Sequence, residues 1–289
     1  SDGYSLQVPA RSMASSRDAD FSLELISDKT RIDLNETLSL SATVSGAVVD
    51  KVEFYANSGL LGTLSSAPYN FSVSTLPAGL AQIYAVAEKD GVRTNSAVIS
   101  VRVGTPQPYG GEPVELPGII RAGHFDSFAG SKGQGITYFD TTPNNIAVNE
   151  EVTEFRPDEY VDATSDPIEG ATVGWIEPGE WLTYTVNVAQ TGTYRLELRY
   201  ASGVAKGGPF SILADDVVVG ENIEVSGTGD WGSWATHTVE SVQLSAGRQV
   251  IKVDISNGGF NLGKMTFALS GEPNPIDPGD GSVDPGDGG

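Results

Sequence analysis

The chain is expected to be an all-β protein built from two β-sandwich domains, and three observations point there. Candidate strands recur roughly every 8–12 residues, each alternating apolar and polar side chains. Turn formers punctuate them throughout, with 35 glycines and 16 prolines among 289 residues. No segment carries the 3.6-residue apolar stripe of an amphipathic helix.

The elements follow in order. Residues 1–20 open with SDGYSLQVPARSM, which lacks the basic head and apolar stretch of a signal peptide. They read as a linker or as the end of an upstream domain. Residues 21–104 hold LSLSATVSG, KVEFYAN, APYNFSV, AQIYAVAEK and SAVISVRVG, enough strands for one sandwich. Within them Phe54, Tyr69, Phe71 and Tyr84 sit in alternating runs and are expected in its core. Residues 105–113, rich in proline and glycine, read as a linker. Residues 114–270 supply WLTYTVNV, YRLELRYA, FSILADD and QVIKVDIS for a second sandwich, with Trp175 and Trp181 read as core. Residues 271–289 repeat a DPGDG unit and form an acidic linker. The aspartate spacing there lacks the bidentate acid of a calcium loop.

Composition removes several classes of function. There is no cysteine, so disulfides and thiol chemistry are excluded, and only His124 and His237 remain for a zinc site. A net charge of −21 opposes binding to nucleic acid or to anionic membranes. No run approaches the ~18 apolar residues of a membrane span. The charge favours a neutral partner, a cation, or a salty medium that screens self-repulsion, and a monomer is expected.

The stretch GTGDWGSWATHTV (227–239) sets two tryptophans three positions apart among glycines. Successive strand side chains alternate faces, so Trp231 and Trp234 cannot both enter one core. Glycines on either side put Trp231 in a turn, where it is expected to face solvent. Trp234 then begins the next strand with the parity of Thr236 and Thr238.

Two resemblances cover most of the chain. VEFYAN, the turn at Gly62, APY, LPAG and YAVAEKDG resemble the bacterial immunoglobulin-like domains that space the modules of secreted polysaccharide-degrading enzymes. GQGITYFDTTPNN, EFRPDEYVDA, VGWIEPGEWLTYTVNV, GTGDWGSW and GGFNLGKMTF resemble, in order, the family 6 carbohydrate-binding modules. That second resemblance implies a non-catalytic jelly-roll sandwich with a sugar site in edge loops, as found in glycoside hydrolases such as agarases. It implies that Trp231 and Phe155 sandwich a sugar ring and that Asn261 bonds its hydroxyls. Glu154, Asp230 and Asn257 lie beside them as further donors or acceptors, and Trp234 is a candidate for a second site on the concave sheet face. Stacking suits the apolar face of a pyranose, while fixed polar groups read its hydroxyls.

The family's structural calcium is held by an Ile-Glu-Ala-Glu phrase and a last-strand aspartate. Here those positions fall on Ile120-Arg121-Ala122-Gly123 and on Thr266, so this calcium site is expected to be absent and no cofactor is expected, with a different cation site around Asp140 or backbone carbonyls left open. The resemblance implies secreted or cell-surface bacterial carbohydrate binding that tethers an upstream catalytic domain to polysaccharide. Chain ends of agarose suit it, with xylan and other β-linked glycans left open. An adhesion or scaffold protein is the alternative. A hydrolase in its own right would need two carboxyl groups at a set separation, and Glu154, Asp158, Glu159 and Asp162 cluster near the expected site.

Overall fold

A computed structural model of the chain describes residues 20–129, 131–146 and 153–277. The upstream phrase at residues 4–13 and the end of the acidic tail lie outside them. Among the described residues every regular element is a strand, apart from the short 3-10 turns Tyr109–Gly111 and Ala122–His124. The chain forms two compact units, one ending at Thr105 and the other beginning at Pro106.

The first unit is a sandwich. One sheet orders Ser22–Ser27, Leu38–Ser45 and Tyr69–Val73. The other orders Arg31–Ile32, Ile99–Val103, Gly79–Lys89, Lys51–Ala56 and Gly59–Leu64, with Val92–Asn95 added on Gly79–Lys89. Alternation directs Leu38, Leu40, Val52, Phe54, Ile83 and Val101 inward, where each is fully buried. Phe71 stacks on Phe54 at 5.0 Å, and Gly62 leaves the room, since a Cβ there would stand 2.4 Å from the Phe71 ring. Tyr84 is a correction to the expected core. Its neighbours Ile83 and Ala85 point inward, so Tyr84 points outward and stacks on Tyr55 at 5.1 Å. Beside that pair Glu53 is bound by Lys51, Tyr55 and Arg93. Burial pushes its carboxyl up, but those three hydrogen bonds outweigh it and hold the group at about 2.

The second unit is also a sandwich. Its first sheet orders Val114–Leu116, Trp181–Val188, Gly247–Ile255, Lys206–Ala214 and Val217–Ser226, with Tyr138–Phe139 on the Trp181–Val188 strand. Its second orders Thr153–Glu154, Ala163–Asp166, Gly170–Val173, Asn261–Leu269, Gly192–Ala201 and Trp234–Leu244, with Gly118–Arg121 on Asn261–Leu269. Phe125, Tyr138, Tyr184, Tyr194, Phe210 and Phe267 fill the space between the sheets. Two fully buried tyrosines keep their hydroxyls paired: Tyr184 donates to the Ala122 carbonyl at 2.8 Å and Tyr194 to that of Gln190 at 2.8 Å.

Two further expectations change here. The segment read as a linker is stitched to the second unit: Pro106–Gln107 pairs with Ser127–Phe128, and Tyr109 stacks on His124 at 4.2 Å. Trp181 precedes the inward Leu182 and so faces out, half-buried, with the Lys252 ammonium 5.0 Å from its ring.

Candidate binding site

The second unit carries a cleft of about 600 Å³ walled by Trp175, Trp231 and Trp234. Three of the chain's four tryptophans therefore converge on one depression. Each arrives by a different local device.

Trp231 rides on the loop that precedes the strand Trp234–Leu244. Thr228 pins the loop's base to Ser202, donating its N–H to the Ser202 carbonyl (2.9 Å) and accepting the Ser202 N–H on its hydroxyl (2.8 Å). Asp230 closes the turn, accepting Gly232 N–H at 2.7 Å and Ser233 Oγ–H at 2.8 Å. Those bonds keep its carboxyl below the usual carboxylate range, the Ser233 bond contributing most. Asp230 thus builds the loop, although a sugar contact was expected of it. The Trp231 indole lies 48% exposed against Gly203, where a Cβ would fall 2.6 Å from Nε1. Asn261 donates its side-chain amide to the Trp231 carbonyl at 2.8 Å, and it also lines the cleft.

Trp234 is half-buried on the outer sheet face. Its ring rests on Gly263, where a Cβ would stand 3.1 Å from Cζ3. The separate second site expected around it is continuous with the Trp231 wall, because one cleft contains both.

Trp175 was expected in the core and is 43% exposed. The strand ends at Val173, and Trp175 then takes a left-handed backbone, φ 49°. That conformation is costly for a bulky residue and collects at ligand sites. The turn is held by Gly174 N–H on the Asp162 carbonyl (2.9 Å) and Glu177 N–H on the Glu180 carboxylate (3.0 Å). Nothing in the alternation of VGWIEPGEW marks this break; the Pro-Gly pair downstream is the available signal.

The other expected residues go elsewhere. Phe155 packs against the core, tilted against Tyr109 (5.8 Å) and His124 (5.6 Å), and does not line the cleft. It stands opposite Ala163, in the row that faces the sandwich interior. Asn257 donates its side-chain amide to the Gly208 carbonyl at 3.0 Å and fixes that turn. For Glu154 the structure describes the backbone alone, paired with Thr164.

Of the acids considered for hydrolysis, Asp158, Glu159 and Asp162 do not line the cleft. Glu159 accepts the Tyr138 hydroxyl at 2.7 Å and an Arg156 guanidinium N–H at 3.4 Å. Asp158 is exposed outside the cleft. Asp162 is buried and accepts the Ile146 N–H. Burial, with the nearby Asp140 and Glu180 charges, pushes Asp162 up to about 7. Among the described residues no group of three or more His, Asp or Glu side chains is placed to hold a metal. At the positions of the family's calcium ligands, Arg121 instead donates to the Glu169 carbonyl and to Asp277, while Thr266 is buried.

A tryptophan-walled cleft on a jelly-roll sandwich, with hydroxyl and amide groups along its rim, is the architecture of a carbohydrate-binding module. Residues 157–268 match the sequence model of the carbohydrate binding modules of family 6, and this part of the chain belongs to that family. Residues 25–101 match the bacterial Ig domain, so the first unit is of that type. Both are non-catalytic module families.

Solved structures similar to the chain include the C-terminal family 6 module of a marine laminarinase from Zobellia galactanivorans. It is 34% identical over 36% of this chain and 88% of that one, with a TM-score of 0.31. Another is a family 6 module of Cellvibrio mixtus lichenase 5A in complex with cellotriose. It is 31% identical over 40% of this chain and 85% of that one, with a TM-score of 0.31. Among curated proteins, an exo-beta-D-glucosaminidase of Amycolatopsis orientalis is 33% identical over 35% of this chain. A 1,6-alpha-glucosyltransferase of Sporosarcina globispora is 30% identical over 34% of it. The matches span 9% and 8% of those two relatives' lengths.

Proposed function

We propose that the cleft binds the end of a neutral β-linked glycan, agarose or a relative, and so holds a secreted polysaccharide-degrading enzyme on its substrate. The observation that carries this reading is the convergence of Trp175, Trp231 and Trp234 on one depression. A pyranose offers an apolar C–H face to each ring, and Asn261 with the exposed Ser165 hydroxyl supplies rim groups for its hydroxyls. A net charge of −21 favours a neutral ligand over a sulfated or uronic one. The similar modules come from a laminarinase and a lichenase, the latter bound to cellotriose, which supports a β-linked backbone. Linkage to a catalytic domain would raise that domain's concentration at an insoluble surface without any new contact. We further propose that binding needs no calcium, since Arg121 stands where a cation's ligand would be required.

The test is calorimetry with agarose, β-1,3-glucan, β-1,4-glucan and xylan oligosaccharides on the wild type, Trp231→Ala and Trp175→Ala. One series is expected to bind, each substitution costing about 2 kcal/mol or more with the melting temperature unchanged. Wild-type affinity in both variants would overturn the assignment of the cleft.

A further inference from the structure

We infer that residues Glu272–Asp277 form an ionic strap that blocks the sheet-face end of the cleft, making the site a blind one that takes chain ends. The inference rests on the glycan-binding reading above and adds what limits the ligand's length. Arg121 and Lys264 face each other across paired strands, an arrangement in which like charges repel. Both are satisfied by Asp277, which bonds Arg121 Nη2 at 2.7 Å and Lys264 Nζ at 2.9 Å. The Asp277 side chain is only 10% exposed, so this pairing is screened less than a surface one. Three residues earlier Asn274 accepts from Arg195 Nη2 at 2.7 Å and donates to Glu197 at 2.9 Å. The segment turns back at its start, where Glu272 N–H bonds the Leu269 carbonyl. It is therefore fastened at both ends to the outer face of the strands Gly192–Ala201 and Asn261–Leu269.

That face leads to the cleft. The second arm of Arg121 donates to the Glu169 carbonyl at 2.7 Å. The Glu169 side chain is 2% exposed and binds Arg199 at 2.6 Å through Oε1, while its Oε2 is buried without a hydrogen-bond partner. This oxygen lies beside Gly263, on which the Trp234 ring rests. Asp277, Arg121, Glu169 and Trp234 thus follow one another across the sheet, and the strap occupies ground over which a longer glycan would pass.

The chain has no cysteine, so a spin label on Ile276→Cys, a 92% exposed position, reports the strap alone. Asp277→Lys combined with Asn274→Ala should mobilise the label, whereas Asp277→Glu should not. Calorimetry would then use a disaccharide and a hexasaccharide of the series that the wild type binds. The released variant is expected to bind the hexasaccharide several-fold more tightly and the disaccharide unchanged. A label equally mobile in all variants would show that no strap exists. Mobilisation without any change in length dependence would show that the strap does not limit the cleft. A wild type that binds no glycan, with the label contrast intact, would remove the cleft reading and with it the role given to the strap.

Discussion

At the scale of single residues, the cleft depends on what glycine leaves open as much as on what tryptophan fills. Trp231 can lie where it does because Gly203 has no Cβ. Gly203→Ala should push the indole out of place and weaken glycan binding about tenfold, near 1.4 kcal/mol. Thermal stability should barely move, because both residues are exposed; calorimetry and a melting curve check the two halves of that statement. Phe155 gives the opposite pattern. It is packed in the Tyr109–His124 cluster, away from the cleft. Phe155→Ala should cost about 2–3 kcal/mol of stability and leave affinity unchanged, measured by denaturant unfolding and titration. If affinity fell with stability intact, the aromatic sandwich expected from sequence would be restored.

At the scale of elements, the loop that carries Trp175 is supported by acids. The Asp162 carbonyl and the Glu180 carboxylate hold its backbone, and the Asp162 carboxylate lies among the Asp140 and Glu180 charges. Folding raises the Asp162 pKa from an ordinary 3.8 to about 7. Across that window the folded state holds a proton that the unfolded state has lost, so stability falls as pH rises from about 4 to 7. The melting temperature should be lower at pH 8 than at pH 5.5, and Asp162→Asn should flatten the difference.

Elements also show what was legible in the sequence. Alternation located the strands and the cores, because side-chain period follows backbone geometry wherever a strand is regular. It misplaced Trp175, which lies two residues past its strand's end, and Tyr84, which alternates with the inward Ile83 and Ala85 and so takes the outer face of its strand. The turn signal around Trp231 was readable because glycine and aspartate have specific roles there. Phe155 was not, since which side of an edge strand faces the interior is settled by tertiary pairing.

At the scale of the whole molecule, residues 106–277 hold the cleft, its supporting acids and the strap, while residues 20–105 form their own core. The second segment expressed alone should therefore keep the affinity of the full chain. Chelation with EDTA should shift neither affinity nor melting temperature; a clear drop in either would reveal a cation that this reading leaves out. The bond from Asn261 to the Trp231 carbonyl, with the Thr228 and Asp230 turns behind it, has a thermodynamic consequence as well. The platform is already ordered before a ligand arrives, so binding freezes few protein torsions. The heat-capacity change should then match the apolar area covered by the sugar and contain no added contribution from folding the loop. Modest affinity in this site would reflect its small contact area, and the entropy lost on binding would be chiefly that of the glycan itself.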